Sequence, residues 1–85
     1  MNKIEIYTTN HCGYCDRAKE LFKSKNLTFT EYNIFTDPSI LGEMLKKTNG
    51  KKTMPQIFIN NLHIGGFAEL KNLVNIGEFE KIFNS

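Results

Sequence analysis

The sequence of 85 residues has no tryptophan, only two cysteines and only two prolines. Two cysteines cannot build the framework of several disulfides that stabilises small secreted domains. No stretch approaches the roughly 18 consecutive apolar residues that a membrane helix needs, and no charged leader precedes an apolar run. We therefore expect a cytoplasmic protein without a signal peptide or membrane anchor, in a compartment where thiols stay reduced.

An excess of one charge is also lacking. Eleven Lys and Arg residues stand against nine Asp and Glu residues, which leaves a net charge of +2. No run of Lys or Arg exceeds two residues, so the pattern gives no indication of nucleic-acid binding, although a weak preference for small anionic ligands is compatible with it. The length and the 40% of hydrophobic residues predict one compact domain over residues 1–85.

Hydrophobic periodicity predicts alternating strands and helices. Strands are expected at 3–8, 28–34, 57–59 and 62–64. Helices are expected at 13–25, at 67–74 and in a short final segment around 79–83. One more helix lies between a start signal at 36–38 and a stop signal at 49–50. The order βαβαββα indicates an α/β fold with one mixed four-stranded sheet flanked by helices. The first strand should be central and parallel to the second, and the last two strands should form an antiparallel hairpin.

The two cysteines form the run Cys12-Gly13-Tyr14-Cys15 at the predicted start of the first helix. Cys12 would face the unpaired N–H groups and the positive dipole end of that helix, which lowers a thiol pKa. Cys15 lies inside the first turn on the apolar face, so we expect it to be more buried. This asymmetry predicts that Cys12 is the nucleophile and that Cys15 resolves the mixed disulfide.

The same segment allows other interpretations. C-x-x-C is also half of a zinc site, but there is no second cysteine pair and only His11 and His63 could complete four ligands, so no metal site is predicted. His11 is interpreted as a solvated turn residue, with electrostatic support of the Cys12 thiolate as the alternative. Tyr14 points away from the apolar stripe and is interpreted as the wall of a groove for a thiol ligand.

Two further features lie far along the chain. Met54-Pro55 precedes an apolar strand; a trans proline marking the strand start is the simpler reading, and a cis bond that presents the Met54 backbone to an extended ligand is the alternative. Gly65-Gly66 precedes a predicted helix whose first N–H groups, at Phe67 and Ala68, could bind a carboxylate. Glu69 could cap the same helix or meet an ammonium group.

Together these features resemble glutaredoxins, in particular short dithiol glutaredoxins of the bacterial type. The resemblance covers essentially the whole chain and rests on three segments: Tyr7-Thr8 followed by Cys12-Gly13-Tyr14-Cys15, then Thr53-Met54-Pro55-Gln56-Ile57-Phe58-Ile59, then His63-Ile64-Gly65-Gly66. It implies a thioredoxin-like fold with Pro55 in cis. It also implies a monomer that uses glutathione to reduce protein disulfides and glutathione mixed disulfides.

The resemblance also implies a glutathione site. The glutathione cysteine would pair with the Met54 backbone, and its γ-glutamyl carboxylate would accept from the Phe67 and Ala68 N–H groups. The binding residues implied are Tyr14, Thr53, Met54, Pro55, Gly66, Phe67, Ala68 and Glu69.

Three departures from the family pattern stand out. Thr9 replaces the lysine usually found three residues before the first cysteine, and Arg17 is not assigned in its place. Phe67 and Ala68 replace the usual Cys and Ser or Asp, and Glu69 the usual Asp, so a side-chain hydrogen bond at Ala68 is lost. Gly13 replaces the usual proline, and some glutaredoxins without this proline resemble carriers of a [2Fe-2S] cluster. In that arrangement two protomers hold the cluster between their first cysteines and two glutathione thiols. Carrying such a cluster is the alternative function.

A third reading is a thioredoxin-like electron donor recycled by a reductase. The missing tryptophan argues against it, because thioredoxins usually place one before the first motif cysteine. The Gly65-Gly66 helix start also favours glutathione.

Overall fold

The computed structural model describes residues 2–85. The chain forms β1 (Ile4–Thr8), α1 (Gly13–Ser24), β2 (Thr30–Asn33), α2 (Ser39–Lys47), β3 (Gln56–Ile59), β4 (Leu62–Gly65), α3 (Phe67–Asn75) and α4 (Phe79–Phe83). The predicted order of elements is therefore confirmed.

The four strands form one sheet in the order β2-β1-β3-β4. β1 runs parallel to β2, with Glu5 opposite Thr30, and antiparallel to β3, with Ile6 opposite Ile57. β3 and β4 form the antiparallel hairpin, with a register shift between Ile57 and Phe58. The mixed sheet with a central first strand is as the sequence predicted.

Most element boundaries lie within one or two residues of the predicted ones, and the differences at β2 and at the start of α2 have local reasons. β2 is shorter than residues 28–34, because its pairing with β1 begins only at Thr30. α2 begins at Ser39 with Pro38 at the N-cap, so the proline lies one residue before the first turn. The carboxylate of Asp37 accepts from the Ser39 N–H at 3.2 Å and thereby satisfies one of the donors that a helix start leaves open.

The sheet separates two cores of different size. The α1 face, covered by α1, α3 and α4, holds a cluster of eight buried apolar residues: Ile4, Ile6, Ala18, Phe22, Ile57, Ile59, Leu70 and Phe79. The α2 face, covered by α2, has a cluster of three: Tyr7, Met44 and Phe58. Glu5 and Gln56 are also buried, and strand alternation places them on the α2 face.

Candidate active site

Cys12 is the N-cap of α1, and this position follows directly from the strand–turn–helix order around it. Its backbone is extended (φ −117°, ψ 103°), and its Sγ accepts from the Cys15 N–H at 3.1 Å. A sulfur that accepts from a helix N-terminal N–H is in a place that favours the thiolate once the cysteine is reduced. The helix start therefore supplies the electrostatics that a nucleophilic cysteine needs.

Cys12 and Cys15 are joined by a disulfide, with their Cα atoms 5.2 Å apart. Cys15 is only 1% exposed, whereas Cys12 is half-buried. The predicted difference in burial is thus confirmed. An outside thiol or disulfide reaches Cys12 more easily than Cys15.

The side chain of Tyr14 stands out beside the disulfide and is 59% exposed, as the sequence predicted. Its ring stacks on Phe67 with centroids 6.1 Å apart, and the Arg17 guanidinium lies 5.3 Å from its centroid on the same ring. This stack of a cation and two rings joins α1 to α3. His11 is exposed in the left-handed region at φ 55°, in agreement with a turn residue.

A groove of about 360 Å³ opens beside Tyr14. Its lining contains all eight binding residues implied by the family resemblance, and it adds Lys51, Gln56 and Gly65. The structure therefore brings Thr53, Met54 and Pro55 from one loop together with the start of α3, which lies more than ten residues further along the chain.

The Gly65-Gly66 pair is explained by close packing against Glu69. The Gly66 N–H donates to Glu69 Oε1 at 2.6 Å, so Glu69 caps the helix. Gly65 has φ +113°, and a Cβ there would come within 2.9 Å of the same oxygen. The Phe67 and Ala68 N–H groups remain in the first turn of α3, where the helix itself offers no acceptors.

The Thr53–Pro55 side of the groove is held from inside the protein. The Met54–Pro55 peptide bond is cis, as the resemblance implied. Gln56 is 1% exposed and its Nε2 donates to the Thr53 carbonyl at 2.9 Å and to the Thr53 hydroxyl at 3.0 Å. His63 Nε2 lies 2.7 Å from Gln56 Oε1, so β4 is connected to this side of the groove.

Lys51 is the cation that lines the groove. From the sequence, Lys51 was predicted only to be a loop residue, and no replacement was assigned for the lysine missing at Thr9. Its position just before Thr53-Met54-Pro55 was the available signal, because a residue two places from a binding loop can reach the same groove. Gln56 and Gly65 belong to segments that carry the family resemblance, but neither was predicted to line the groove, because Gln56 leads into a strand and Gly65 belongs to the turn before α3.

His63 is half-buried and lies near this groove. Burial lowers the pKa of His63, with a smaller lowering from the Lys51 charge and a partial offset from Glu69. Its ring also stacks on Phe58 with centroids 4.9 Å apart. Within residues 2–85, no three His, Cys, Asp or Glu side chains are grouped so that they could hold a metal ion.

Among residues 2–85, no helix has both the length and the apolar character needed to cross a membrane.

Several solved structures have the same fold as this chain. Glutaredoxin 1 of Francisella tularensis, solved with cacodylate, matches with a TM-score of 0.75 and 38% identity over 98% of both chains. A buckwheat glutaredoxin solved with glutathione matches with a TM-score of 0.84, 24% identity, and coverage of 98% of this chain and 77% of that chain, which shows the fold alone. The sheet, the helices and the helix-capping disulfide define a thiol–disulfide oxidoreductase of the thioredoxin-like fold.

The family follows from the sequence matches. Residues 4–64 match the family model described as Glutaredoxin. A probable glutaredoxin of Synechocystis sp. is 41% identical over 83 residues, which cover 98% of this chain and 94% of that protein. Glutaredoxin 3 of Escherichia coli is 46% identical over 70 residues, which cover 82% and 83%. The chain belongs to the glutaredoxin family.

Proposed function

We propose that this glutaredoxin is a glutathione-dependent oxidoreductase that reduces glutathione mixed disulfides and protein disulfides in the cytoplasm, acting as a monomer through one domain over residues 1–85. The observation that carries the proposal is the position of Cys12, which caps α1 and accepts from the Cys15 N–H at 3.1 Å. The groove lined by Tyr14, Met54 and Phe67 lies next to this motif.

The reaction with a glutathione mixed disulfide uses Cys12 alone. The Cys12 thiolate attacks the glutathione sulfur, the substrate thiol leaves with the electron pair and takes up a proton, and Cys12 becomes glutathionylated. The thiolate of a second glutathione then attacks that glutathione sulfur, which releases the Cys12 thiolate and forms glutathione disulfide. In balance, one free glutathione thiol is consumed, the substrate leaves as a thiol, and the glutathione that was bound to it ends in glutathione disulfide.

The reaction with a protein disulfide uses both cysteines. Cys12 attacks one substrate sulfur and forms a mixed disulfide, while the other substrate sulfur leaves as a thiol. Cys15, one turn along the same helix, then attacks the Cys12 sulfur, releases the second substrate thiol and closes the Cys12–Cys15 disulfide. Glutathione reduces this disulfide again; glutaredoxin potentials of about −200 to −230 mV lie near the glutathione poise, so the reaction can run in either direction.

The charges of the groove fit the charges of glutathione, which carries two carboxylates and one ammonium group. We assign one carboxylate to the Phe67 and Ala68 N–H groups at the start of α3. We assign the other to Lys51, which takes the place of the lysine missing at Thr9. We assign the ammonium group to Glu69, which lines the groove and whose carboxylate caps Gly66.

The [2Fe-2S] carrier gains no specific support from the packing at Gly13. A Cβ at this position would meet no atom within 4 Å, so the structure does not require glycine there. For the [2Fe-2S] carrier, a colourless protein after anaerobic reconstitution with iron, sulfide and glutathione is the expected result.

The alternative of a thioredoxin-like electron donor recycled by a reductase is likewise not favoured, because the groove offers a carboxylate site at α3 and a cation at Lys51.

The two cysteine variants test the proposed roles. Cys12→Ser should abolish glutathione-coupled turnover of a glutathionylated peptide, because no other residue of the groove can form the covalent intermediate. Cys15→Ser should keep much of this turnover and lose the reduction of protein disulfides. Equal loss of peptide turnover in both variants would refute the assignment, and recycling of the wild-type disulfide by thioredoxin reductase but not by glutathione would refute the glutathione dependence.

A further inference from the structure

A hydrogen-bond chain runs behind the groove from Thr53 through the buried Gln56 to the half-buried His63, and the chemistry of its groups decides which atoms donate and which accept. The Thr53 carbonyl is an acceptor only, and it lies 2.9 Å from the Gln56 side-chain amide, so the amide must turn its NH₂ group toward Thr53. The other end, Oε1, then faces His63 Nε2 at 2.7 Å. Because Oε1 can only accept, His63 Nε2 must carry a proton and donate it.

We propose that His63 is a positioning residue for the ligand groove, acting through Gln56 on Thr53 and so on the Thr53–Met54 side of the groove. This inference rests on the proposed function, since it concerns how well the same groove holds a glutathionylated substrate. His63 itself lies outside the set of residues that line the groove, so it acts only through Gln56.

Because Gln56 is buried, the hydrogen bonds between Thr53, Gln56 and His63 are sensitive to the loss of any one partner. Gln56 is 1% exposed, so an Oε1 without the His63 donor would be a buried acceptor with no partner. The amide relieves this cost by rotating or shifting, and either movement weakens its two bonds to Thr53 at 2.9 and 3.0 Å. The exposed Thr53 loop then loses the contacts that tie it to the sheet.

A purely structural role is the alternative explanation for a histidine at this position, because the His63 ring stacks on Phe58 with ring centroids 4.9 Å apart. Two variants separate the explanations. His63→Phe keeps a ring for stacking and removes the donor, whereas His63→Gln removes the ring and keeps an N–H donor at nearly the same reach as Nε2.

We expect His63→Phe to raise the KM for a glutathionylated peptide roughly two- to tenfold, which is the range that the loss of one hydrogen bond gives. The kcat should stay unchanged, because Cys12 and its helix take no part in the hydrogen bonds between Thr53, Gln56 and His63. His63→Gln should stay close to wild type. In ¹⁵N-resolved NMR, the Gln56 side-chain amide should exchange with solvent faster in His63→Phe than in wild type or His63→Gln.

The opposite order of the two variants, or equal KM values and equal amide exchange in both, would overturn the proposal. If His63→Phe does not fold, Thr53→Val at an exposed position removes the hydroxyl end of the chain and should raise the KM by a smaller factor; an unchanged KM would then count against the proposal. Absence of peptide turnover in the wild type would refute the proposed function instead, and the NMR exchange would still decide about His63.

Discussion

The two faces of the sheet differ in what holds them together. The α1 face is an apolar cluster centred on Phe22, which contacts Phe29 and Phe79 with ring centroids 5.8 and 6.3 Å apart. The α2 face has fewer apolar residues and more buried polar groups, with Glu5 at 4% exposure and Gln56 at 1%. We infer that the α1 face supplies most of the stability. On the α2 face, some of the buried side chains are polar and form hydrogen bonds that orient the groove.

The largest expected effect comes from the centre of the α1 face. Phe22→Ala removes a fully buried ring and should lower the free energy of unfolding by about 3–5 kcal/mol, a large share of the total stability of so small a domain. Urea unfolding of the reduced proteins measures this loss. Phe35→Ala, at a ring that is 67% exposed, is the control and should change stability by less than about 0.5 kcal/mol; similar losses in both variants would break the comparison.

A smaller effect is expected from the polar groups of the α2 face. The Tyr32 hydroxyl donates to Glu5 Oε2 at 3.0 Å, while Glu5 Oε1 is buried with no partner among residues 2–85. Tyr32→Phe leaves this carboxylate with fewer partners and should cost about 1–3 kcal/mol in the same unfolding measurement.

Tyr7→Phe is the matched control for Tyr32→Phe on the neighbouring strand. The Tyr7 hydroxyl lies 3.3 Å from Glu43 and 3.4 Å from Lys47, which are long distances for hydrogen bonds. Burial and the Glu43 carboxylate raise the pKa of Tyr7 to about 12, so the hydroxyl keeps its proton at neutral pH. Tyr7→Phe should therefore cost less than Tyr32→Phe, and the reverse order would contradict the importance given to Glu5.

A third test concerns binding at the groove. Lys51→Gln should raise the KM for a glutathionylated peptide by up to about fivefold at low salt, because an exposed ion pair contributes roughly 0–1 kcal/mol. Added salt should shrink the difference. Lys52→Gln removes the same charge one residue away, outside the groove lining, and should leave the KM unchanged; equal effects would mean that only the overall charge matters.

The sequence predicted what depends on neighbouring residues. The N-cap position of Cys12, the burial of Cys15 and the exposure of Tyr14 follow from helix periodicity within one turn. The capping by Glu69 remained one of two alternatives, because choosing between them requires the actual path of the chain at Gly65 and Gly66.

The contact between Gln56 and His63 could not be predicted. These residues lie on different strands of a hairpin whose register shifts between Ile57 and Phe58, so alternation alone does not show which side chains meet. Lys51 was missed because loop residues have no periodicity from which a direction can be inferred.

The smallest expected effect is the pH dependence that His63 adds to the α2 face. Burial, and then the Lys51 charge, lower the pKa of His63 below its ordinary value of 6.5. As the pH falls through about 6.5, the unfolded chain therefore takes up a proton before the folded chain does. The folded state loses stability from there down to the lowered pKa, and below that pKa the loss is complete.

The variant His63→Gln lacks the titrating imidazole and is the reference for this test. The difference in unfolding free energy between wild type and His63→Gln, measured in urea at pH 7.5 and pH 5.0, should thus shift against the wild type on acidification, while the contributions of shared carboxylates cancel. Lys51→Gln, which removes one cause of the lowered pKa, should reduce this shift in a histidine-containing background. A pH-independent difference, or a wild type that gains relative stability at pH 5.0, would show that the histidine is not held neutral by its position between Gln56 and Phe58.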